Sequence, residues 1–331
     1  MSTYYASLGK VLVTGGTGYI GQHLIPSLLN RGYKVKVLVR KNSNVKDLSY
    51  PDIEFIYGDL IKKETLIGIA DGCEIVFHLA SLVEIIAPKD EYFKVIVGGT
   101  HNLIEACRSS EIKRFVFASA GMVYGGIKKT PVKEDYSCKP FYNYGKAKLE
   151  AERMLLKAYE EFDFPMTILR IFGVYGSKGG LLVDNISAAL KNRKFRFIGS
   201  GDYLFHVVHI DDVVQALILA AQTEKARGHI YNIGDDEPTT SKEFVNYIAA
   251  QIGLKKPGHI PVWLAYLAAI FFETVRKIKG KREVTSDMKK IIITRDMIKL
   301  MTTNLAGDIS KAKQELGYCP KYPTFREGLT K

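Results

Sequence analysis

Cysteine is scarce in this chain and never paired. Cys73, Cys107, Cys138 and Cys319 stand far apart, with no C-x-x-C. That spacing excludes a disulfide framework and a thiolate zinc site, and it reads as reduced cytosolic thiols. No secretory leader is visible, because Met1–Gly9 is polar and the first apolar run is Val11-Leu12-Val13. Internal repeats and low-complexity segments are missing. So is any motif interleaving aromatic and basic residues, and no specific nucleic-acid partner is expected. The apolar run Pro261–Phe272, PVWLAYLAAIFF, is too short to cross a bilayer. Acidic residues are in deficit, 35 against 47 Lys and Arg, for a net charge of +12. The plain reading of that excess is a solvated lysine-rich surface. The sharper readings are attraction to an anionic cofactor, to acidic lipid headgroups or to nucleic acid.

The densest basic cluster, Arg276–Arg282 (RKIKGKR), directly follows the apolar run. Two readings of 261–282 stand. One is an interfacial helix giving peripheral membrane contact. The other, which is preferred, is a buried or substrate-covering helix with a solvated end. The expected location is the cytoplasm, with membrane association as the alternative.

What the chain does have is Lys10–Gly21, KVLVTGGTGYIG. A short apolar run suits a buried parallel strand, and His23–Leu29 has the periodicity of a helix. Between them Gly15, Gly18 and Gly21 are spaced G-x-x-G-x-x-G. The first allows a tight turn, the second lets backbone approach a pyrophosphate, and the third lets the helix pack on its strand. The helix start then presents free N–H groups and a positive dipole end to phosphates. The pattern continues with strands at Lys34–Val39, Ile53–Tyr57, Ile75–Leu79, Phe115–Ala118 and Met166–Ile171. Helices are expected near Gln22–Asn30, Glu64–Ala70, Val95–Ser109 and Tyr144–Glu161. Alternation of this kind predicts an α/β fold with a doubly wound parallel sheet. Further on, Val207–Val208 reads as the start of a helix running through Asp211–Gln222, and Ser241 reads as the N-cap of Glu243–Ile252. At 331 residues, 47% hydrophobic and 25% charged, the chain suits a soluble nucleotide domain with a smaller lobe grafted on. The expected boundaries are 1–172 for the nucleotide domain, with about 207–235 contributing. The segments 173–206 and 236–331 form a mostly helical C-terminal substrate lobe.

The second strand ends Val39-Arg40, where dinucleotide folds often place a ribose-binding carboxylate. An arginine there suits a 2′-phosphate, with Lys41 and Ser43 as helpers, so NADP is expected over NAD. Asp59, after the third strand, can reach an adenine amino group. His78-Leu79-Ala80-Ser81 follows the fourth strand, near the middle of the cofactor. Two overlapping Y-x-x-x-K patterns occur in Tyr142–Lys148, and on a helix residues four apart share a face. An ammonium beside a phenol favours the phenolate and makes tyrosine a usable acid or base for a carbonyl–alcohol pair.

Here the chain resembles the extended short-chain dehydrogenase/reductase family, in its epimerase/dehydratase branch. The resemblance rests on TGGTGYIG at Thr14–Gly21, GDL at Gly58–Leu60, HLAS at His78–Ser81 and GGTHNL at Gly98–Leu103. It continues through ASAGMVYG at Ala118–Gly125, YGKAKLEAE at Tyr144–Glu152, LRIFGVYG at Leu169–Gly176 and VHIDDV at Val208–Val213. It implies a Rossmann-type sheet, an NAD(P)-dependent oxidoreductase and a homodimer. It makes Tyr144 the proton donor or acceptor and Lys148 its partner, which also holds the nicotinamide ribose. The cofactor set it implies is Gly15, Thr17, Gly18, Tyr19, Ile20, Gly21, Arg40, Asp59, Leu60, Leu79, Ala80, Ser81, Tyr144, Lys148, Ile171, Gly173 and Val174. The implied substrate set is Val83, Ala120, Gly121, Met122, Phe172 and Phe205, with no metal.

Four positions depart from the family pattern. Ala120 stands where a serine or threonine would donate to the carbonyl, leaving Ser119, Tyr124 or a water to serve, and Ser119 is the catalytic candidate. Ile96 replaces an asparagine. Gly173 and Phe205 replace an asparagine and an arginine that commonly contact a nucleotide sugar's diphosphate. The C-terminal half is similar to hydroxysteroid-dehydrogenase-like and hopanoid-associated reductases. That implies hydride transfer between a sterol- or isoprenoid-like alcohol and its ketone. The alternatives are a nucleotide-sugar epimerase or dehydratase with retained NAD, and a non-catalytic NADP(H) sensor.

Overall fold

The computed structural model describes residues 9–83, 87–127, 129–176, 180–279 and 294–330. The expected loop residues Lys178 and Gly179, and the 280–282 end of the basic cluster, lie outside them. Six strands lead the chain: β1 (Lys10–Thr14), β2 (Lys34–Val39), β3 (Ile53–Tyr57), β4 (Ile75–His78), β5 (Arg114–Ala120) and β6 (Met166–Ile171). With Ile230–Ile233 they form one seven-stranded sheet, ordered Ile230–Ile233, β6, β5, β4, β1, β2, β3. Every pairing in it is parallel. Such a sheet is covered on both faces, so its central strands are mostly apolar, and the charged side chains inside them, such as Arg170 in β6, are paired. Val11, Leu12 and Val13 are accordingly all fully buried. Alternate side chains take opposite faces. Val11 and Val13 join one core with α1 (Tyr19–Leu29), whereas Leu12 joins the other.

That second core holds a long helical segment made of α2 (Lys89–Tyr92), a π-helical turn at Phe93–Gly98 and α3 (Gly99–Cys107). It also holds α4 (Asn143–Phe162). Strand order reverses between β1 and β4, and in open α/β sheets the ligand crevice forms outside the strand ends at that reversal.

Beyond β6 the chain builds α5 (Leu181–Lys191), α6 (Ile210–Gln222), α7 (Ser241–Gln251), α8 (Val262–Lys279), α9 (Arg295–Met301), α10 (Ser310–Leu316) and α11 (Phe325–Leu329). Three two-stranded ladders tie this part together. They pair Val207–His209 with Gly173–Tyr175, Thr239–Thr240 with Leu204–Phe205, and His259–Ile260 with Phe197–Ile198.

Several elements differ from the sequence expectation. Val207–Val208 lies in a strand, and the helix starts after it at Ile210. Thr240, not Ser241, caps α7, in a reciprocal capping box with Glu243. Residues 64–70 supply only a 3₁₀ turn at Lys63–Leu66. Ile309, Ala312, Leu316 and Tyr318, expected in the substrate lobe, bury in the sheet's own core beside Val208 and Tyr231.

Candidate active site

β1 ends at Thr14 and turns at once into Gly15, which has φ +74°. A Cβ on Gly15 would stand 2.6 Å from the Ala80 backbone nitrogen and 2.8 Å from the Leu79 carbonyl carbon. The turn after β1 therefore lies directly on the chain leaving β4, at the reversal of strand order. A Cβ on Gly21 would meet Gly15 O at 2.5 Å, so the third glycine seats α1 on the turn. Gly18 is exposed and meets only that same carbonyl, at 3.2 Å. Thr17, Gly18, Tyr19 and Ile20 thus wrap the start of α1. No side chain caps this helix and no acid occupies its first turn. Its leading N–H groups and positive dipole end are left for an anion.

Beneath the turn, His78 is buried between two threonines. Thr100 Oγ1 donates to Ile96 O at 2.6 Å, so it accepts from His78 Nε2 at 3.0 Å. His78 Nδ1 then accepts the Thr14 hydroxyl at 2.7 Å. Burial pushes this imidazole down from 6.5 to about 3, with the Lys148 charge adding to the effect. An unfolded chain would protonate His78 below pH 6.5 while the folded chain keeps it neutral. Its contribution to stability is therefore complete above pH 6.5 and is lost as pH falls from there toward about 3. The slope is about 1.4 kcal/mol per pH unit. His78→Gln keeps an amide between the threonines and does not titrate. Urea midpoints measured between pH 7 and 4 should fall less steeply in the variant than in the wild type. Equal slopes would mean that the burial of neutral His78 does not contribute to the acid sensitivity of the fold.

At the end of β2, Val39 is buried and Arg40 is exposed. The Arg40 N–H donates to Ser43 Oγ at 3.1 Å and Ser43 N–H returns to Arg40 O at 2.9 Å, closing a tight turn that also exposes Lys41. Among the described residues no carboxylate pairs with the Arg40 guanidinium. Asp59 is fixed after β3 by accepting the Ile61 N–H at 3.2 Å, and the Leu60 carbonyl takes Asn102 Nδ2 at 2.8 Å.

Tyr144 and Lys148 sit one turn apart on α4. Gly145 lets this helix start close to the end of β5, since a Cβ there would be 2.6 Å from Met122 O. Lys148 is buried. Its Nζ donates to Ala118 O at 2.6 Å and stands 5.8 Å from the Tyr144 ring centroid. Burial lowers its pKa from 10.5 to about 7, against the pull of Glu152. Burial raises the Tyr144 phenol from 10.0 to about 12, and the Ser81 hydroxyl is the one group that favours its ionised form. The expected depression by an adjacent ammonium is absent: burial dominates the phenol, and burial also lowers the Lys148 amine. The Ser81 Oγ is buried and faces the Tyr144 phenol, with no other partner among the described residues. A buried hydroxyl whose one contact is a tyrosine phenol fits a polar ligand shared by the two.

Ser119 is placed differently from its expected role. Its Oγ donates to Glu152, which is fully buried and paired with Arg170 at 2.8 Å. Arg170 in turn donates to Tyr124 Oη at 2.9 Å, and Tyr124 donates to Asn232 Oδ1 at 2.7 Å. Alternation along β5 turns Ser119 away from Ala120. Both hydroxyls that were candidates to replace the missing one at Ala120 are therefore committed to a buried network. Ile96 is 1% exposed and packs with Tyr92, Leu103 and Ala147, so no polar side chain stands there.

Phe172 and Gly121 also depart from their expected substrate role. A Cβ on Gly121 or on Gly307 would meet the Phe172 ring at 2.5 Å, so the ring is clamped between two glycines inside the core. Gly173 and Phe205 prove to be one feature. A Cβ on Gly173 would lie 3.0 Å from the Phe205 ring, which also packs on Phe244. Ile171 is buried and Val174 packs against the sheet core. Met122 and Phe205 are half-buried, and Val83 is 60% exposed. Sequence reasoning missed Glu152, Arg170, Tyr92 and Asn232 as parts of the site's support. The i, i+4 spacing of Lys148 and Glu152 was the available signal.

Residues 11–234 match the model of the NAD dependent epimerase/dehydratase family. The chain is 30% identical to a 2-alkyl-3-oxoalkanoate reductase of Shewanella oneidensis, over 95% of this chain and 83% of that protein. It is 32% identical to a decarboxylating sterol-4-alpha-carboxylate 3-dehydrogenase of Mus musculus, over 78% of this chain and 74% of that protein. Among solved structures, MoeE5 in complex with UDP-glucuronic acid and NAD is similar at a TM-score of 0.74 and 28% identity, covering 97% of both chains.

Proposed function

Because the chain belongs to the NAD-dependent epimerase/dehydratase family and is an NAD(P)-dependent oxidoreductase of the extended short-chain type, we propose that it reduces a ketone on a sterol- or isoprenoid-like substrate. Tyr144 is the proton donor in this reading. The observation that carries it is the placement of Tyr144 and Lys148 one turn apart on α4, with Lys148 Nζ 5.8 Å from the Tyr144 ring centroid and the Ser81 hydroxyl beside the phenol. At neutral pH the phenol is fully protonated, the state needed to donate to an alkoxide as it forms. When bound, the nicotinamide supplies the hydride.

The chain's own groups do the rest. The N-terminus of α1 and the backbone around Gly15–Gly21 hold the pyrophosphate. Ser81 orients the carbonyl oxygen, the task that Ala120 cannot perform. Lys148, with its amine near neutrality and its Nζ over the Tyr144 ring, steadies the phenolate left by donation and holds the nicotinamide ribose. The relatives named above act on alkyl ketone and sterol substrates by their names. The Gly173–Phe205 contact supports an apolar substrate over a nucleotide sugar, because it puts a ring where a diphosphate ligand is expected. The test is NADPH oxidation with a panel of long-chain β-keto acids, steroid ketones and UDP-sugars. Turnover should rise with apolar surface, and turnover confined to UDP-sugars would overturn the reading.

Arg40 supports NADPH over NADH. Arg40→Ala should weaken NADPH binding about tenfold or more, the loss of a charge-assisted phosphate contact, and leave NADH binding nearly unchanged. Titration by cofactor fluorescence checks this, and equal losses for both dinucleotides would assign Arg40 no role at the 2′ position.

A further inference from the structure

We propose that the outer face of α8 docks on an anionic lipid bilayer, in the plane of its surface. Eleven large apolar side chains are exposed among the described residues, and five of them lie on this one helix. They are Trp263 (66%), Leu264 (45%), Leu267 (56%), Ile270 (48%) and Phe271 (64%). At 3.6 residues per turn these positions fall on a single stripe. The opposite stripe, Ala265 and Ala269, is buried against Ile198 and Ile298. The sequence expectation of a buried or covering helix thus holds for one face only.

Charge selects the occupant. The only carboxylate in α8, Glu273, is engaged by Arg295, with Nε–Oε2 at 2.8 Å. Exposed Lys255 and Lys256 precede the helix, and the sequence that follows the apolar run reads RKIKGKR at 276–282, with no acid among them. A second copy laid on this face, parallel or antiparallel, would bring a basic end against a basic end. An anionic bilayer pairs with both ends at once and takes the apolar stripe into its headgroup–acyl boundary. No helix of the described residues is long and apolar enough to cross a membrane, so the contact is peripheral.

Trp263 is the chain's single tryptophan and stands in the stripe, so its emission reports the contact directly. The full-length protein is floated with vesicles of phosphatidylcholine, with and without one third phosphatidylserine, while tryptophan emission is recorded. The expected results are flotation with the anionic vesicles, a blue shift of emission, and release by high salt. Leu267→Glu/Phe271→Glu should bind about tenfold or more weakly, through lost apolar burial and added like charge. Ile67→Glu, at an exposed apolar position outside α8, should bind as wild type, and unchanged thermal unfolding shows that each variant is folded. Binding that is equal with and without phosphatidylserine, or unchanged in the double variant, would overturn the proposal. So would a blue-shifted emission that needs no lipid and tracks dimer formation, which would assign the face to a second copy. None of these readouts depends on the reaction proposed above.

Discussion

Tyr144→Phe should lower ketone turnover by about 10²–10⁴-fold, the usual contribution of a positioned general acid. NADPH binding should change little, because the phosphate cradle is made by other elements. The phenol oxygen is the only part removed, and its ring can keep its edge-on contact with Tyr92, at 6.2 Å between centroids. A falling pH should not rescue the variant, since no proton on the ring remains to be donated. In the wild type burial raises the phenol to about 12, so the reductive rate should show no loss from Tyr144 across the neutral and mildly alkaline range. Ser119→Ala makes the contrast. Its hydroxyl is bound to Glu152 and not open to a carbonyl, so turnover should fall far less than in Tyr144→Phe. Steady-state kinetics of both variants measure this. Equal losses in the two would return Ser119 to the catalytic centre.

Glu152→Gln should destabilise the chain by about 3–5 kcal/mol, the cost of breaking a buried ion pair by removing one partner. Glu152 is 0% exposed and Arg170 4%, and they are joined by three hydrogen bonds. Glutamine keeps the shape and leaves the guanidinium uncompensated away from water. The loss should be cooperative with the rest of the network. Arg170 also holds Glu134 O at 2.8 Å, and the Glu134 carboxylate accepts the Asn232 backbone N–H at 2.8 Å. Replacing both partners by apolar residues, Glu152→Leu with Arg170→Met, should recover much of the loss, because the desolvation cost then disappears from both. Urea unfolding of the single and paired variants measures this. A loss under about 1 kcal/mol for Glu152→Gln would mean that the pair is solvated.

The parts of this molecule that were readable in the sequence are those where one residue answers to one local rule. β2, β3 and β6 have the bounds expected of them, because each is a short run rich in Val, Ile, Leu and aromatic residues, even with Lys36, Glu54 and Arg170 inside it. The glycine turn was readable for the same reason: Gly15 needs a positive φ and Gly21 a close approach. What escaped depends on partners distant in sequence. Ser119 looks like a spare hydroxyl beside Ala120 until Glu152 is seen behind it. Gly173 and Phe205 look like two separate changes until the ring is found over the glycine. Ile309–Tyr318 follows a stretch of irregular lobe, yet it buries Ala312 and Leu316 in the sheet's core. Thr240 outcompeted Ser241 as a cap because only its side chain stands in register with the Glu243 N–H. The outer face of α8 could not be told from a core face, since apolar periodicity marks a stripe without saying what covers it.

The proposed reaction is net hydride transfer from the nicotinamide to a ketone carbon, with the proton from Tyr144. The most direct measurement uses NADPH deuterated at C4 and a ketone that the enzyme turns over, with the product alcohol examined by mass spectrometry. The expected product carries one deuterium on the carbinol carbon, with one oxidised cofactor per alcohol formed. Product formed without deuterium from either C4 face and without net cofactor oxidation would contradict it, and would point to a retained cofactor that only cycles.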